Sequence, residues 1–329
     1  MINTTGGLQR VTSFLSPSTK RGKMKKNFFA PLKERNIRQE ILMLLPACIL
    51  LIIFMVVPFF SAFGLSLTNQ KLIPNPMVPA KFVGLRNYIQ IFKDVSFWQA
   101  FKNVILFTIM VIPLQCGFAL LMANALNKVR FLKGFLRSLF FLPYITPMVI
   151  VAVIWKSIYQ YPDGIANLAL KLVTFGMAHS IDWLGNKNSA LIAITILSAW
   201  QAFGFQMIIY LGALQSIPTS LYEAANIDGA NSRQVFWNVT WPSLKETNTL
   251  VLIITTIQAL KLFTQVNIMT KGGPNGSTNT LVHYIYQSGF MGQKIGYASA
   301  ASVILFLLIL FIFLVQNKLL RGKEEKARD

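Results

Sequence analysis

Six stretches of the chain are almost wholly apolar, and the segments between them hold nearly all of the charge. They run from Ile41 to Leu67, Val104 to Leu126, Ser138 to Trp155, Ala190 to Leu214, Leu250 to Met269 and Tyr297 to Val315. About 20 mostly apolar residues cross the hydrocarbon core of a bilayer, so the pattern predicts an all-α polytopic membrane protein with six spans. Only the fifth stretch carries a charge, Lys261. Pro46, Pro58, Pro113, Pro143 and Pro147 lie inside the stretches. A membrane helix tolerates proline where neighbours or waters satisfy the freed carbonyls, and kinked, cavity-lining helices are the expected result.

The charges set orientation. The N-terminal tail to Glu40, segments 127–137 and 215–249, and the end from Lys318 together hold about twice as many Lys and Arg as the opposite segments. Cytoplasmic loops keep positive charge, so both termini are expected in the cytoplasm. The chain then divides into a basic tail at 1–40, expected to be disordered up to about Ala30, a membrane domain at 41–320, and a second cytoplasmic tail at 321–329. Span one is far longer than the apolar region of a signal peptide and is expected to remain in the mature protein.

Composition narrows the classes further. The 329 residues are 54% hydrophobic and 13% charged, with 31 Lys+Arg against 11 Asp+Glu and a net charge of +20. A soluble nucleic-acid binder would spread its basic residues over polar surface, so nucleic acid is excluded as a partner. Topology accounts for most of the basicity, and the same clusters suit anionic headgroups of the bilayer. Cys48 and Cys116 lie within apolar runs and read as packing residues, and with only His179 and His283 there is no material for a metal site. No G-x-x-x-x-G-K-[ST] loop occurs, so the chain is not expected to be an enzyme or to hold a cofactor; ATP and its Mg would be used by a partner.

Segment 215–249 departs from the orientation pattern, with Arg233 and Lys245 set against Glu223, Asp228 and Glu246. It reads as a helical hairpin. Ser220 and Glu223 form an S-x-x-E capping box, Asp228-Gly229 signals a turn, and Ser232 caps a second helix that stops before Pro242. Glu223-Ala224-Ala225, then Asp228-Gly229-Ala230, Gln234, Phe236 and Pro242, resemble the EAA loop of ABC importer permeases. The likeness is in particular to the permease subunits of binding-protein-dependent sugar importers of the maltose type. It extends over nearly the whole chain after the tail, through Phe82-Val83-Gly84-Leu85-Arg86-Asn87-Tyr88, Phe140-Phe141-Leu142-Pro143 and Thr270-Lys271-Gly272-Gly273-Pro274.

The resemblance implies a type I ABC importer permease fold in a bacterial cytoplasmic (inner) membrane. It also implies partners: a second homologous permease, two cytoplasmic ATP-binding subunits, and an extracytoplasmic solute-binding protein that delivers an oligosaccharide. The hairpin becomes a coupling helix docked in an ATPase cleft, with Glu223, Ala224, Ala225, Asp228, Gly229 and Ala230 as its working residues. By the same analogy the binding protein touches loop 68–98, with Pro74, Pro76 and Pro79, and the Gly272-Gly273-Pro274 loop.

Polar residues inside a span are costly and usually face a cavity or a partner. Thr255, Gln258, Lys261 and Gln265 recur at spacings of 3, 3 and 4, which places them on one helical face. Span four adds Ser198, Gln201 and Gln206 with Trp200, Phe203 and Phe205. Amides and hydroxyls suit sugar hydroxyls, and aromatic rings suit the C–H faces of a pyranose. The family's sugar-contacting positions fall on Ser198, Ala202, Phe205, Thr255, Ala259 and Leu262, several of them apolar. Either the pocket shifts toward Gln258 and Lys261, or the partner permease binds the sugar. Lys261 favours an anionic ligand, such as a uronate-containing oligosaccharide or a sugar phosphate; snorkelling or an ion pair with the partner are the alternatives. A secondary sugar transporter is the rival reading, weakened because no span carries a carboxylate. A membrane enzyme lacks paired acids, since Asp94, Asp163 and Asp182 are scattered.

Overall fold

The computed structural model of the protein describes residues 34–73, 79–129 and 131–325. The expected disorder up to Ala30, and Pro74 and Pro76 of loop 68–98, lie outside the described residues. Among those described there is no strand, only an isolated antiparallel bridge between Thr68 and Phe82.

The chain divides at Val57 into two units. The first holds α1 (Glu34–Leu51) and a π-helical turn, Ile52–Val56. From Ile41 onward its side chains are exposed, Val56 alone being half-buried. A helix apolar all round with this little burial needs lipid or another protein as its surroundings.

The second unit opens with α2 (Val57–Ser66), α3 (Arg86–Lys93) and α4 (Val95–Lys128). It continues with α5 (Lys133–Ile145), α6 (Met148–Ile158), α7 (Ile165–Val173) and α8 (Ala190–Ser216). The hairpin comprises α9 (Thr219–Ile227), α10 (Ser232–Val235) and α11 (Trp241–Ser243). After it come α12 (Lys245–Leu260), α13 (Thr264–Met269), α14 (Leu281–Tyr286) and α15 (Ile295–Glu325). Helical stretches at Ile41–Ser66, Val95–Lys128, Ala190–Ser216, Lys245–Met269 and Ile295–Leu320 are each long and apolar enough to cross a bilayer. The bent pair α5–α6 makes a sixth if it is taken as one span. At 1.5 Å per residue α4 is about 50 Å long and projects well beyond a 30 Å hydrocarbon layer.

Two of the expected spans are not single helices. The stretch Ser138–Trp155 is broken between α5 and α6 by a bend of 92°. The cause is local: Thr146 precedes Pro147, a position where the α conformation is disfavoured, and it is extended at φ −68°, ψ 131°. The carbonyls of Pro143 and Tyr144 lose their helical partners there, and Gln201 of α8 donates its amide to both, at 3.2 and 3.3 Å. The stretch Leu250–Met269 is interrupted at Lys261–Phe263, between α12 and α13.

The core is built on α4 and α8. Phe107, Val111, Ile194 and Leu197 are buried together toward one end, and Ala119, Ala123, Met207 and Leu211 toward the other. Small residues let the backbones close up. Gly204 of α8 lies directly against the Phe140 carbonyl of α5, and a Cβ there would collide with that backbone.

Outside the spans Asp94 caps α4, accepting from the Ser96 amide at 2.8 Å, and it also accepts from the Tyr284 hydroxyl at 2.6 Å. Burial alone raises its pKa, but the bonds from Tyr284, Ser96 and Tyr297 outweigh it and hold the carboxyl below its ordinary value. Asn103 of α4 donates to the carbonyls of Gly276 and Asn279, both at 2.8 Å, which ties the loop after α13 to the N-terminal part of α4.

Candidate functional site

Two places collect the residues singled out by sequence. The first is a cavity of about 290 Å³ between α4, α8, α12 and the α12–α13 break, with Tyr144 and Met148 from the α5–α6 bend completing its wall. Ser198, Gln201, Thr255, Gln258, Lys261 and Gln265 all line it, together with Ala202, Ala259 and Leu262. Phe205 does not; its ring stacks on Tyr144, with centroids 4.9 Å apart and planes 15° from parallel. The single helical face expected for Thr255, Gln258, Lys261 and Gln265 is not what brings them together. α12 ends at Leu260, and the break redirects the chain so that Gln265 of α13 comes back to the same cavity.

The polar groups of the cavity divide into those already engaged and those left open. Gln265 donates to the Ser198 hydroxyl at 3.3 Å, and Ser198 donates to the Ile194 carbonyl at 2.7 Å. Gln201 serves the two carbonyls at the bend. Thr255 Oγ1 accepts from Gln206 at 3.2 Å and from the Cys116 thiol at 3.5 Å. Gln115, overlooked in the sequence because it sits alone in a greasy run of α4, is 4% exposed and lines the cavity, yet its Nε2 has no hydrogen-bond partner. Lys261 is exposed in the cavity, and among the described residues no Asp or Glu lines it. Groups of His, Cys, Asp and Glu able to hold a metal are absent among the described residues.

The second place is the hairpin. Its helix–turn–helix character is present, with different capping. α9 starts at Thr219 behind Pro218, which leaves Ser220 within the first turn, and no side chain caps it. The capping box forms at the second helix instead. Asn231 Oδ1 accepts from the amides of Arg233 and Gln234, while Gln234 Oε1 accepts from the Asn231 amide at 2.8 Å, so Asn231 takes the role expected of Ser232. Nor does the second helix stop before Pro242: a π-helical turn, Phe236–Thr240, leads into α11, where Pro242 occupies the first turn and needs no amide partner. Gly229 sits at φ +74°, the left-handed conformation that closes α9, and the Ala230 amide returns to the Ala225 carbonyl at 2.9 Å.

The hairpin has two faces. Tyr222 and Phe236 pack against the buried cluster of α4, α8 and α12 that includes Leu214, Ile217 and Leu244, and the Tyr222 and Thr240 hydroxyls meet at 3.3 Å. Glu223, Ala224, Asp228 and Gly229 are exposed, Ala225 and Ala230 half-buried, and Ile227 is 86% exposed at the tip. Tyr222 is an anchor that sequence reasoning missed. The signal available was weak: a lone aromatic just before Glu223, sharing a helical face with Ala225 and Asn226.

Comparison with known proteins agrees with this architecture. Residues 115–324 match the family described as "Binding-protein-dependent transport system inner membrane component". A probable ABC transporter permease protein, YurN, of Bacillus subtilis is 33% identical over 288 residues, covering 86% of this chain and 97% of its own length. The trehalose/maltose transport system permease protein MalF of Thermococcus litoralis is 32% identical over 303 residues, covering 92% of this chain and 100% of its own. Among solved structures, a bacterial alginate ABC transporter in complex with an alginate pentasaccharide-bound periplasmic protein superposes with a TM-score of 0.73. It is 24% identical, covers 87% of this chain and 96% of its own, and shares the fold. With the family match spanning more than half of the chain and relatives aligned over nearly their full length, the chain belongs to the inner membrane components of binding-protein-dependent transport systems.

Proposed function

We propose that the chain is one permease subunit of an ATP-driven sugar importer, lining the path of an oligosaccharide and coupled through the α9–α10 hairpin to ATP-binding subunits in the cytoplasm. A second permease completes the path, a binding protein outside delivers the sugar, and both termini lie in the cytoplasm. The relative named for trehalose and maltose, and the fold neighbour described as an alginate transporter in complex with an alginate pentasaccharide-bound periplasmic protein, support a saccharide as cargo. The observation that carries the coupling role is the hairpin's division of labour: Tyr222 and Phe236 anchor it to the cluster of α4 and α8, while acidic Glu223 and Asp228 and apolar Ile227 are exposed, with none of the described residues covering them. An exposed apolar knob beside carboxylates suits a docking surface. A rigid connection from that surface to α8 lets movement of an ATPase reposition the cavity walls.

Gly229→Asp is the test. A Cβ at Gly229 meets no atom within 4 Å, so the side chain fits without a clash inside this chain. The left-handed conformation costs a non-glycine residue about 1–2 kcal/mol, less for Asp than for most. The variant is expected to insert normally and to lose ATP-coupled uptake. Normal transport by an inserted Gly229→Asp protein would remove the hairpin's role.

A further inference from the structure

A groove of about 740 Å³ opens between α4, α12 and the end of α15, and it shares no lining residue with the polar cavity. Pro113, Gly117 and Leu120 of α4, Leu252 of α12 and Leu320 of α15 form its walls. Pro113 and Gly117 are exposed, and a Cβ added at Gly117 meets no atom within 4 Å, so the trough is open from outside. Charge is confined to one end. There Trp241 of α11, 40% exposed, and Lys245, half-buried at the start of α12, form the mouth. Behind them the Thr249 hydroxyl donates to the Lys245 carbonyl at 3.1 Å, and the Asn248 side-chain oxygen is closed off from solvent. No Asp or Glu among the described residues lines the groove or pairs with Lys245.

The wall from Ile112 to Leu120 is about 12 Å long at 1.5 Å per residue, close to the depth of one leaflet in a hydrocarbon layer of about 30 Å. An apolar trough one leaflet deep, with a cation and a tryptophan at its mouth, matches an amphiphile: tryptophan favours the membrane–water interface, and a basic side chain there attracts acidic headgroups. A sugar path would instead carry polar groups along its length, as the cavity between α4, α8 and α12 does. We propose that this groove holds a phospholipid with an acidic headgroup, its phosphate against Lys245 and one acyl chain along Gly117 and Leu252. That the leaflet is the cytoplasmic one rests on the orientation proposed above; the binding itself does not. Trp241 belongs to the last helix of the hairpin and Gly117 and Leu252 to spans, so the lipid fills the seam at the hairpin's root.

The experiment titrates the purified, delipidated complex with equal parts of phosphatidylglycerol and phosphatidylcholine carrying the same acyl chains, and native mass spectrometry counts the lipids retained. The wild type is expected to retain phosphatidylglycerol over phosphatidylcholine by about 5-fold, the effect of one basic residue near a membrane surface. Lys245→Met is expected to bring the two lipids level, and Lys245→Arg to restore the preference. Gly117→Phe fills the trough from an unobstructed position and is expected to lose one lipid per copy of this chain, whichever its headgroup. A photo-crosslinking residue at position 117 is expected to label lipid. Equal retention of the two lipids by the wild type, a preference unchanged in Lys245→Met, or a lipid count unchanged in Gly117→Phe overturns the proposal. Labelling of the second permease from position 117 overturns it too, by showing a protein segment in the groove.

Discussion

The hairpin and the interrupted fifth span both break a helix, and they treat the freed groups in opposite ways. At the hairpin each exposed turn is closed by the chain itself, through the Asn231–Gln234 box and the Ala230 return to Ala225. At the α12–α13 break the backbone is also stitched, with the Lys261 amide on Gln258 and the Thr280 hydroxyl on the Leu262 carbonyl at 2.7 Å. The side chains there are left open, Lys261 and Gln258 in the cavity. A lever needs a finished interior and an unfinished surface; a binding cavity needs unfinished polar groups inside. On the function proposed above, the chain places one of each on either side of α12.

Substitutions that exchange these characters should break the contrast. The largest effect is expected at the hairpin tip, where Ile227→Asp puts a charge on an 86% exposed apolar side chain. Little stability should be lost, while uptake and sugar-stimulated ATP hydrolysis fall by more than about 10-fold, as for an interface hot spot; intact coupling would show that no partner sits there. Within the helix packing, where α8 meets α5, Gly204→Val drives a side chain into the Phe140 backbone and is expected to cost about 3 kcal/mol, read as a lowered unfolding temperature in detergent.

Gln201→Leu sharpens the distinction between holding the fold and holding the ligand. Its amide serves the Pro143 and Tyr144 carbonyls. Leaving them unpaired should cost about 1–3 kcal/mol of stability, with KM little changed. A change in KM without a loss of stability would instead make Gln201 a ligand contact. The smallest effect is expected for Asn231→Ala, about 1 kcal/mol from loss of the cap, with uptake largely retained because Tyr222 and Phe236 still anchor the hairpin.

The parts legible in sequence were those written locally. Uninterrupted apolar runs marked the spans, and Glu223 through Ala230 marked the hairpin, because both signals lie within a few residues of one another. Cap identity was less legible: Ser232 and Asn231 are adjacent good caps, and only the backbone decides which stands at the boundary. The bend at Thr146–Pro147 was foreshadowed by its prolines, yet its 92° depends on Gln201, distant in sequence, to receive the freed carbonyls. The cavity was half legible. Thr255, Gln258, Lys261 and Gln265 stood out as polar exceptions, while Gln115 became informative only when α4 was seen to bring it beside Thr255, and Phe205 was turned aside by its stack on Tyr144.

The central claim is that this chain moves solute only when an ATP-hydrolysing partner drives its hairpin. Its most direct measurement is solute uptake by proteoliposomes holding both permeases, with the ATP-binding subunits either present or withheld and the loaded binding protein added outside. The account predicts uptake that requires the subunits together with ATP and that vanishes when either is left out. Sustained uptake by the permeases alone would contradict it.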